Sequence, residues 1–455
     1  MQILQTIISK INSFFWGGPM LIALLAFHIY FTVHTGFVQK KLKGGLRLSV
    51  GKPETPDTSA VPDNKKENVP LSTAASEPIH VTGFMALSTT LAATLGTGNI
   101  IGISSAIRLG GPGALFWCFL TGVFGMATSY AECFLSVRHR IRNTDGSYTG
   151  GPMIVLEHKL KKRHLARIYA GAVVFAACTM SCSTQSKTFA DAAVAFGLPR
   201  IPVGIVLALC VGVIIIGGAS RIHKFCMRLV PVMGGIFLFC CLLILIKNIA
   251  YLPAAIALML RCAFSPQAVT AGTLSGSMMN ALRYGVARGL FTNEAGLGTS
   301  AIAAADAETA SPREQALISM TATFWDTVVL CAITGLCIIT TSLADPESLT
   351  GYSMNDLTTA AFLRLSSGGP VLLNLSLMAF AFATLTGWSY FGEKATRYLL
   401  GERGIVPYKT CYIVMIFLGT VLSAGFLWEL TDFSNLFLAI PNLLMLFWLR
   451  REVKV

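Results

Sequence analysis

Two glycines near the middle of a long apolar segment are the residues with the clearest chemical meaning in this chain. Gly96 and Gly98 flank Thr97, and Asn99 follows them, within an apolar segment at about 83–107. Each glycine costs roughly 1 kcal/mol in a helix interior relative to alanine, and the Thr and Asn side chains are polar. The pattern therefore predicts a helix that is interrupted in the middle of the segment.

An interrupted helix exposes backbone groups that can bind ions. The first amides of the half-helix after a break favour an anion such as a carboxylate, which makes Gly96, Thr97 and Gly98 the predicted carboxylate cradle. The last carbonyls of the half-helix before the break, together with the Asn99 amide oxygen, are hard ligands suited to a small cation. The stretch therefore predicts a site for a small carboxylate-bearing ligand next to a cation site.

A second stretch of the same character lies in the other half of the chain. Within residues 276–306, Gly289, Gly296 and Gly298 surround the polar sequence Thr-Asn-Glu at 292–294. Paired glycine-interrupted segments in the two halves of a membrane protein point to the binding site of a transporter. In this segment, Phe291 is predicted to close the pocket, and Thr292 to offer a hydroxyl and a carbonyl to a cation.

The composition places the chain in a lipid bilayer. Of its 455 residues, 54% are hydrophobic and 13% are charged, and the mean hydropathy is +0.65, whereas a soluble domain is typically about 25% charged. The net charge of +13 could suggest a nucleic-acid partner, but the basic residues follow membrane topology instead. The twelve cysteines lack paired metal-ligand spacing and are expected to be apolar fillers.

No catalytic arrangement is visible in the sequence. We find no nucleophile with its base, no metal cluster and no phosphate-binding loop. The sequence therefore predicts a protein that is not an enzyme, has no nucleic-acid partner and needs no cofactor beyond a coupling ion.

About eleven apolar spans position the two glycine-containing stretches. They lie at roughly 13–36, 83–107, 113–137, 167–190, 201–218, 229–249, 276–306, 316–343, 370–393, 408–427 and 433–449. Most of the 35 Lys and Arg residues fall between spans on one side of the membrane. This asymmetry predicts an N-terminus outside and a C-terminus in the cytoplasm.

The order of the spans predicts an inverted repeat. We divide the chain into an extra N-terminal transmembrane helix, a partly disordered cytoplasmic linker, two five-helix repeats and a cytoplasmic tail, at 1–37, 38–82, 83–249, 250–449 and 450–455. Within the linker, the segment from Lys52 to Pro70 is rich in Pro, Asp, Asn and Lys and is predicted to be disordered. Because five is odd, the second repeat must cross the membrane in the opposite sense to the first, as in secondary transporters.

Six motifs follow one another along nearly the whole chain. They are GTGNIIG at 96–102, GGPGALFW at 110–117, GGPM at 150–153, RYGVARGLFTNEAGLGTS at 283–300, GWSYFGE at 387–393 and SNLFLAIPNLL at 434–444. Together they resemble the alanine/glycine:cation symporter family. The resemblance implies an all-α polytopic fold with the leucine-transporter-like five-plus-five inverted repeat and two broken helices. It also implies sodium-coupled symport of a small neutral amino acid, alanine or glycine, into the cytoplasm by alternating access, in the inner membrane of a bacterium.

The resemblance also implies residues that contact the substrate. Gln185 matches a family position that contacts the substrate, and Trp388 matches a pocket residue. Trp388 could alternatively anchor its helix at the membrane interface, but its position near the middle of a span argues against that. The predicted substrate site therefore combines these two side chains with Phe291 and the glycine-rich cradle.

Two sodium sites are predicted. By analogy with the leucine transporter, Asn99 and Thr292 would share one sodium ion. A second site is suggested by three hydroxyl groups on the span 370–393, which would face the first broken helix and belong to Thr384, Thr386 and Ser389. Alternatively, these hydroxyls bond to carbonyls of their own helix.

Several ionisable residues within the spans are candidates for coupling, because charges in a membrane are usually functional. Lys187 stands where the family usually has Asn. Its ammonium either replaces a cation in the polar centre and couples transport to protons, or reaches outward to the membrane surface. Asp326 either balances a cation or holds a helix hydrogen bond. Arg283 and Arg288 are expected to reach outward or to pair with Glu294.

The alternatives to sodium symport are a proton-coupled amino-acid symporter and, on the same fold, a channel or a substrate sensor. A channel requires a continuous polar path without an occluding gate. The bulky side chains of Phe291 and Trp388 argue against such a path.

Overall fold

The chain folds almost entirely into α-helices in the computed structural model, which describes residues 2–51, 81–143, 146–265, 269–271, 274–309, 311–353, 356–421 and 424–455. The predicted disorder from Lys52 to Pro70 lies outside these described residues.

The helices are named in chain order. They are α1 (Gln2–Gly17), α2 (Pro19–His34), α3 (Leu42–Val50), α4 (Gly83–Thr94), α5 (Ile101–Gly110), α6 (Gly113–Arg138), α7 (Pro152–Ile154), α8 (Arg163–Ala176), α9 (Cys182–Val194), α10 (Arg200–Ile216), α11 (Gly218–Lys247), α12 (Leu252–Phe264), α13 (Met278–Asn293), α14 (Thr299–Asp306), α15 (Pro312–Thr323), α16 (Ala332–Ala344), α17 (Leu357–Leu363), α18 (Gly369–Leu400), α19 (Ile405–Val421) and α20 (Ala424–Leu449).

The described residues also form two short hairpins, three π-helical segments and several short 3-10 turns. Strand β1 (Ile141–Arg142) pairs antiparallel with β2 (Tyr148–Thr149), and β3 (Val269–Ala271) pairs antiparallel with β4 (Leu274–Gly276). Segments of π-helix follow α7, join α8 to α9 and join α15 to α16, at Val155–Lys159, Ala177–Ser181 and Phe324–Cys331. Such widened turns often occur at functional sites.

The helices have the lengths and composition of membrane spans. Among the described residues, eight helical runs are long and apolar enough to cross a membrane, and α4 with α5 forms a ninth that is bent by 61°. The predicted all-α polytopic membrane fold is therefore confirmed. Of the other predicted spans, 201–218 corresponds to the shorter apolar helix α10, and 276–306 corresponds to α13 and α14.

Helix α11 begins earlier than the sequence predicted. Residues 219–228 were expected to connect two spans, but they form the first turns of α11. One face of these turns buries Ile222 and Cys226, while Arg221 and Lys224 are exposed on the other face. An amphipathic segment of this kind is helical without being apolar throughout, which is why hydropathy missed it.

The start of the predicted linker is also helical. Helix α3 packs on α15, where a Cβ atom at Gly45 would lie 3.1 Å from the Thr321 methyl group. Gly45 and Ser49, four residues apart, are the buried residues of α3. Small residues at this spacing let two helices approach closely.

Helix α13 lies directly against α6 because its contact face is made of glycine. A Cβ atom at Gly285 would lie 2.8 Å from Trp117 Cβ, and one at Gly289 would overlap Thr121 Oγ1. Small residues four apart are a common means of close helix contact in membranes. This contact fixes α13, and with it the second break, against α6.

We expect Gly289→Ala to lower the melting temperature of the detergent-purified protein, followed by tryptophan fluorescence. The added methyl group must displace Thr121, and overpacking of this kind costs about 1–3 kcal/mol. Gly235→Ala in α11 is the matched control, because nothing lies within 4 Å of a Cβ atom there and alanine favours helix. A Gly289→Ala protein that melts with the wild type would contradict the packing account.

Candidate functional site

The first break separates α4 from α5. Helix α4 ends at Thr94, Gly96 is extended (φ −123°, ψ −163°), a single 3-10 turn covers Thr97–Asn99, and α5 begins at Ile101. The Asn99 side chain holds this shape, because its Oδ1 accepts a hydrogen bond from the Gly96 N–H at 3.1 Å. The predicted interruption is therefore present.

Asn99 also connects the first break to the π-helical segment Phe324–Cys331. Its Nδ2 donates to the backbone carbonyl of Asp326 at 3.0 Å and to the carboxylate Oδ1 at 2.7 Å. The other carboxylate oxygen accepts from the Thr327 hydroxyl at 2.7 Å. Asp326 is completely buried, and the structure thus places this predicted coupling residue beside the first break.

The second break separates α13 from α14. Helix α13 ends at Asn293, Glu294 adopts the left-handed conformation (φ 53°, ψ 11°), and α14 begins at Thr299. Gly296 and Gly298 also have positive φ, at 97° and 78°. Glycine adopts such angles without steric cost, which explains why the sequence around this break is rich in glycine.

Side chains from three other helices hold the second break in place. Glu132 Oε1 accepts from the Gly296 N–H at 2.7 Å and from Asn442 Nδ2 at 2.7 Å. The same Asn442 amide donates to the Gly296 carbonyl at 2.9 Å, and the Tyr169 hydroxyl donates to the Leu297 carbonyl at 2.9 Å. Unwound backbone inside a membrane requires such partners.

A cavity of about 290 Å³ lies between the two breaks. All of the predicted substrate contacts line it, namely Gly96, Thr97, Gly98, Gln185, Phe291 and Trp388. Trp388 is almost completely buried, which excludes an anchoring role at the membrane interface. The structure thus brings the six residues together, and their contact with a substrate remains a prediction.

Two of the predicted sodium ligands also line the cavity. Thr292 Oγ1 would lie 3.6 Å from a Cβ atom at Gly98, so it faces the first break. Thr384 Oγ1 donates to the Phe380 carbonyl at 3.0 Å and lies 3.4 Å from the carbonyl oxygen of Leu95. The Thr292 hydroxyl of α13 and the Thr384 hydroxyl of α18 therefore approach the first broken helix at two different points.

The structure corrects the expectation that three hydroxyls of α18 face the first break together. Thr386 donates to the Phe382 carbonyl at 2.9 Å, and Ser389 donates to the Thr386 carbonyl at 2.6 Å. With 3.6 residues per turn, Thr386 and Ser389 point about 200° and 140° away from Thr384. All three hydroxyls donate to carbonyls of their own helix, and only Thr384 also hydrogen-bonds a carbonyl of the first broken helix.

Lys187 lies away from the cavity. Its ammonium is 3.4 Å from Asp191 Oδ2, one turn further along α9, and Arg200 Nη2 lies 2.5 Å from the other carboxylate oxygen. The Lys187 side chain is 23% exposed and is absent from the residues that line the cavity. The structure thus places this lysine in an ion pair with Asp191 outside the cavity, and its role in coupling stays a prediction.

Arg288 lines the cavity, although the sequence analysis expected it to reach outward or to pair with Glu294. Its Nη2 donates to Ser105 Oγ at 3.2 Å, and a Cβ atom at Gly102 would lie 2.6 Å from its Nη1. A glycine in the first motif thus makes room for an arginine in the fourth, which no sequence spacing reveals. Other polar residues that line the cavity include Ser181, Thr184, Tyr284 and Asn435, to which the sequence analysis assigned no role, and the candidate coupling residue Glu294.

Polar contacts close the end of the molecule where α4 begins and α14 ends. Lys394 Nζ lies 2.6 Å from Asp306 Oδ2; the Asp306 side chain is buried, and the Lys394 side chain is 12% exposed. The Tyr390 hydroxyl donates to the same carboxylate. The Glu308 N–H donates to the Val81 carbonyl at 2.8 Å, which joins the two broken helices at this end.

Comparison with known proteins agrees with the fold and with the motifs. Residues 1–455 match the family described as the sodium:alanine symporter family. An uncharacterized transporter of Haemophilus influenzae is 38% identical over 452 residues, which cover 99% of this chain and 94% of the relative. The sodium/alanine symporter AgcS of Methanococcus maripaludis is 38% identical over 445 residues, covering 96% and 93%.

A more distant relative carries a different substrate in its name. The "Probable sodium/glutamine symporter GlnT" of Bacillus subtilis is 30% identical over 455 residues, covering 99% of this chain and 90% of the relative. The match over the whole length confirms the resemblance that the motifs indicate. This chain belongs to the sodium:alanine symporter family of membrane transporters.

Proposed function

We propose that this chain carries a small neutral amino acid, alanine or glycine, into the cytoplasm together with sodium. The observation that carries the proposal is the cavity of about 290 Å³ into which both helix breaks open. Binding sites at paired helix breaks are typical of secondary transporters. The names of two relatives, a sodium/alanine and a sodium/glutamine symporter, support the same class of substrate.

The substrate carboxylate is proposed to lie at the first break. Because the Gly96 N–H already donates to Asn99, the cradle role falls to the backbone of Thr97 and Gly98. Both residues line the cavity and precede α5, whose N-terminal end favours an anion. Gln185 and Trp388 would then form the walls on either side of the substrate.

One sodium ion is proposed to bind between Asn99 and Thr292. The Asn99 amide oxygen has a second lone pair beside the one that holds the Gly96 N–H, and the buried Asp326 carboxylate next to it would compensate the charge. A second ion is proposed beside Thr384 and the Leu95 carbonyl. Sodium takes the role of coupling ion here because the lysine proposed for proton coupling lies away from the cavity.

The arrangement of the broken helices supports two five-helix repeats of opposite sense, preceded by the extra N-terminal helix. At one end of the molecule Glu308 bonds to Val81, next to the end of α14 and the start of α4. At the other end, a Cβ atom at Gly110 would lie 2.9 Å from the Asn280 carbonyl oxygen, where α5 ends and α13 begins. The two broken helices therefore lie side by side and run antiparallel.

The two ends of the molecule differ in how far the cavity extends toward them, and this difference supports alternating access. The cavity lining extends toward the end of α5 at Leu109 and the start of α13 at Tyr284. The opposite end carries the Asp306–Lys394 ion pair. With the N-terminus outside, as the basic residues predict, this arrangement corresponds to a protein that is closed toward the cytoplasm.

Uptake of labelled alanine into proteoliposomes tests the proposed function. We expect accumulation when sodium is higher outside, and competition by unlabelled alanine and glycine. Uptake driven by a proton gradient without sodium would favour the proton-coupled alternative, and a flux that never exceeds the alanine gradient would favour a channel.

We expect Thr384→Ala to raise the sodium concentration for half-maximal uptake by about tenfold to a hundredfold, because the loss of one ligand to a charged group costs about 1.5–3 kcal/mol. Thr386→Ala, which removes a buried hydroxyl on the opposite side of the same helix, should leave that concentration unchanged. Sodium titrations of initial uptake rates measure both variants. An equal rise of the half-maximal sodium concentration in both variants would favour a site that uses all three hydroxyls, and would contradict the separate roles of Thr384 and Thr386.

We expect Asp306→Asn and Lys394→Gln each to slow uptake, because each variant leaves one largely buried charge without its partner, at a cost of about 3–5 kcal/mol. The double variant should be faster than the slower single variant, since it leaves no lone charge. Glu402→Gln removes one partner of the exposed Arg397–Glu402 pair and serves as the control, because such pairs contribute little. Additive losses in the double variant would show that the pair does not act as a unit.

A further inference from the structure

Glu294 occupies a backbone position that suits glycine better than glutamate. Its φ of 53° is in the left-handed region, which costs a residue with a Cβ atom about 1–2 kcal/mol. The two other residues of this break with positive φ, Gly296 and Gly298, are both glycines. Strained residues of this kind cluster at functional sites, so the Glu294 side chain needs an explanation beyond folding.

Glu294 is one of the residues that line the cavity, and it is only 4% exposed. Its Oε2 accepts from the Thr299 hydroxyl at 2.6 Å, and Trp388 lies within hydrogen-bonding reach. Among the residues that the structure describes, no Lys, Arg or His forms a salt bridge with it. A buried carboxylate without a counter-ion is expensive.

The carboxylates of Glu132 and Asp326, which lie at the breaks, have other hydrogen-bond partners. Glu132 accepts from a backbone amide of the second break and from Asn442. Asp326 accepts from Asn99 and Thr327. Neither residue lines the cavity. Of the three acidic residues, Glu294 is the one that lines the cavity.

We propose that Glu294 is the anionic partner of the substrate's α-ammonium group. The inference rests on the proposed function and deepens it, since it makes the cavity a site for zwitterions. The ammonium pairs with Glu294 at the second break, while the carboxylate meets the backbone amides at the first break. Molecules of the same shape that lack a positive amino group, such as N-acetylated or deaminated amino acids, are then rejected because they leave this buried carboxylate unpaired.

Glu294 has a second task that the test must separate. Its bond to Thr299 places a carboxylate at the first turn of α14, where a negative charge and a hydrogen-bond acceptor stabilise the helix start. Glu294→Gln keeps an oxygen for Thr299 and removes the charge. Glu294→Asp keeps the charge on a shorter side chain. The two variants therefore distinguish recognition of the ammonium from support of the helix.

The experiment measures competition against labelled alanine uptake in proteoliposomes, with alanine, N-acetylalanine and propionate as competitors. The wild type should be inhibited by alanine far more strongly than by the other two. In Glu294→Gln the half-inhibitory concentration of alanine should rise about tenfold or more, equivalent to 1.4 kcal/mol, and the preference over N-acetylalanine and propionate should fall by a similar factor. Glu294→Asp should recover part of that preference, and the exposed-site variant Glu402→Gln should match the wild type.

Alanine-induced thermal stabilisation of the purified variants gives the same comparison without transport. If Glu294→Gln keeps the wild-type preference for alanine and loses only its maximal rate, Glu294 supports the helix and the inference is overturned. If the wild type itself neither binds nor takes up alanine, the proposed function fails and the inference fails with it. The wild-type measurements therefore distinguish the two failures.

Discussion

The need to satisfy unwound backbone inside a membrane is the constraint on which the rest of this structure depends. Each unpaired amide or carbonyl in hydrocarbon costs several kcal/mol, and this chain interrupts two helices at that depth. Asn99 satisfies the first break through Gly96 and Asp326. Glu132 and Asn442 satisfy the second break through Gly296. These side chains stabilise the two breaks on either side of the cavity. They leave some backbone polar groups of the breaks without a hydrogen bond from these side chains.

Charge at the cavity follows from the same constraint. Buried acceptors hold backbone amides in place, so carboxylates gather around the breaks, and the proposed ligands, a small cation and an ammonium group, would complement their charge. The ion pair of Asp306 and Lys394 is the contrasting case, since both charges there come from the protein and close one end of the molecule. In the proposed function, the substrate completes the first kind of site, and the ion pair is the contact that would open during transport.

Much of the site was predictable from local sequence, because the helix breaks are marked by glycines that no membrane helix interior favours. The cavity residue Trp388 followed from a family motif, and Gln185 from a matching family position outside the motifs. What sequence could not give was the direction of side chains on long helices: Thr386 points away from Thr384, and Lys187 meets Asp191 at the surface. The partnership of Arg288 with Gly102 joins residues far apart in sequence, and the left-handed conformation of Glu294 depends on the anchored break around it.

The binding of alanine to the purified protein, titrated at a series of sodium concentrations, tests the central claim most directly. If both ligands occupy the cavity between the breaks, sodium must raise the affinity for alanine, and alanine must raise the affinity for sodium by the same factor. The account predicts this reciprocal increase at constant pH. Alanine binding that is independent of sodium, or that follows the proton concentration in its place, would contradict it.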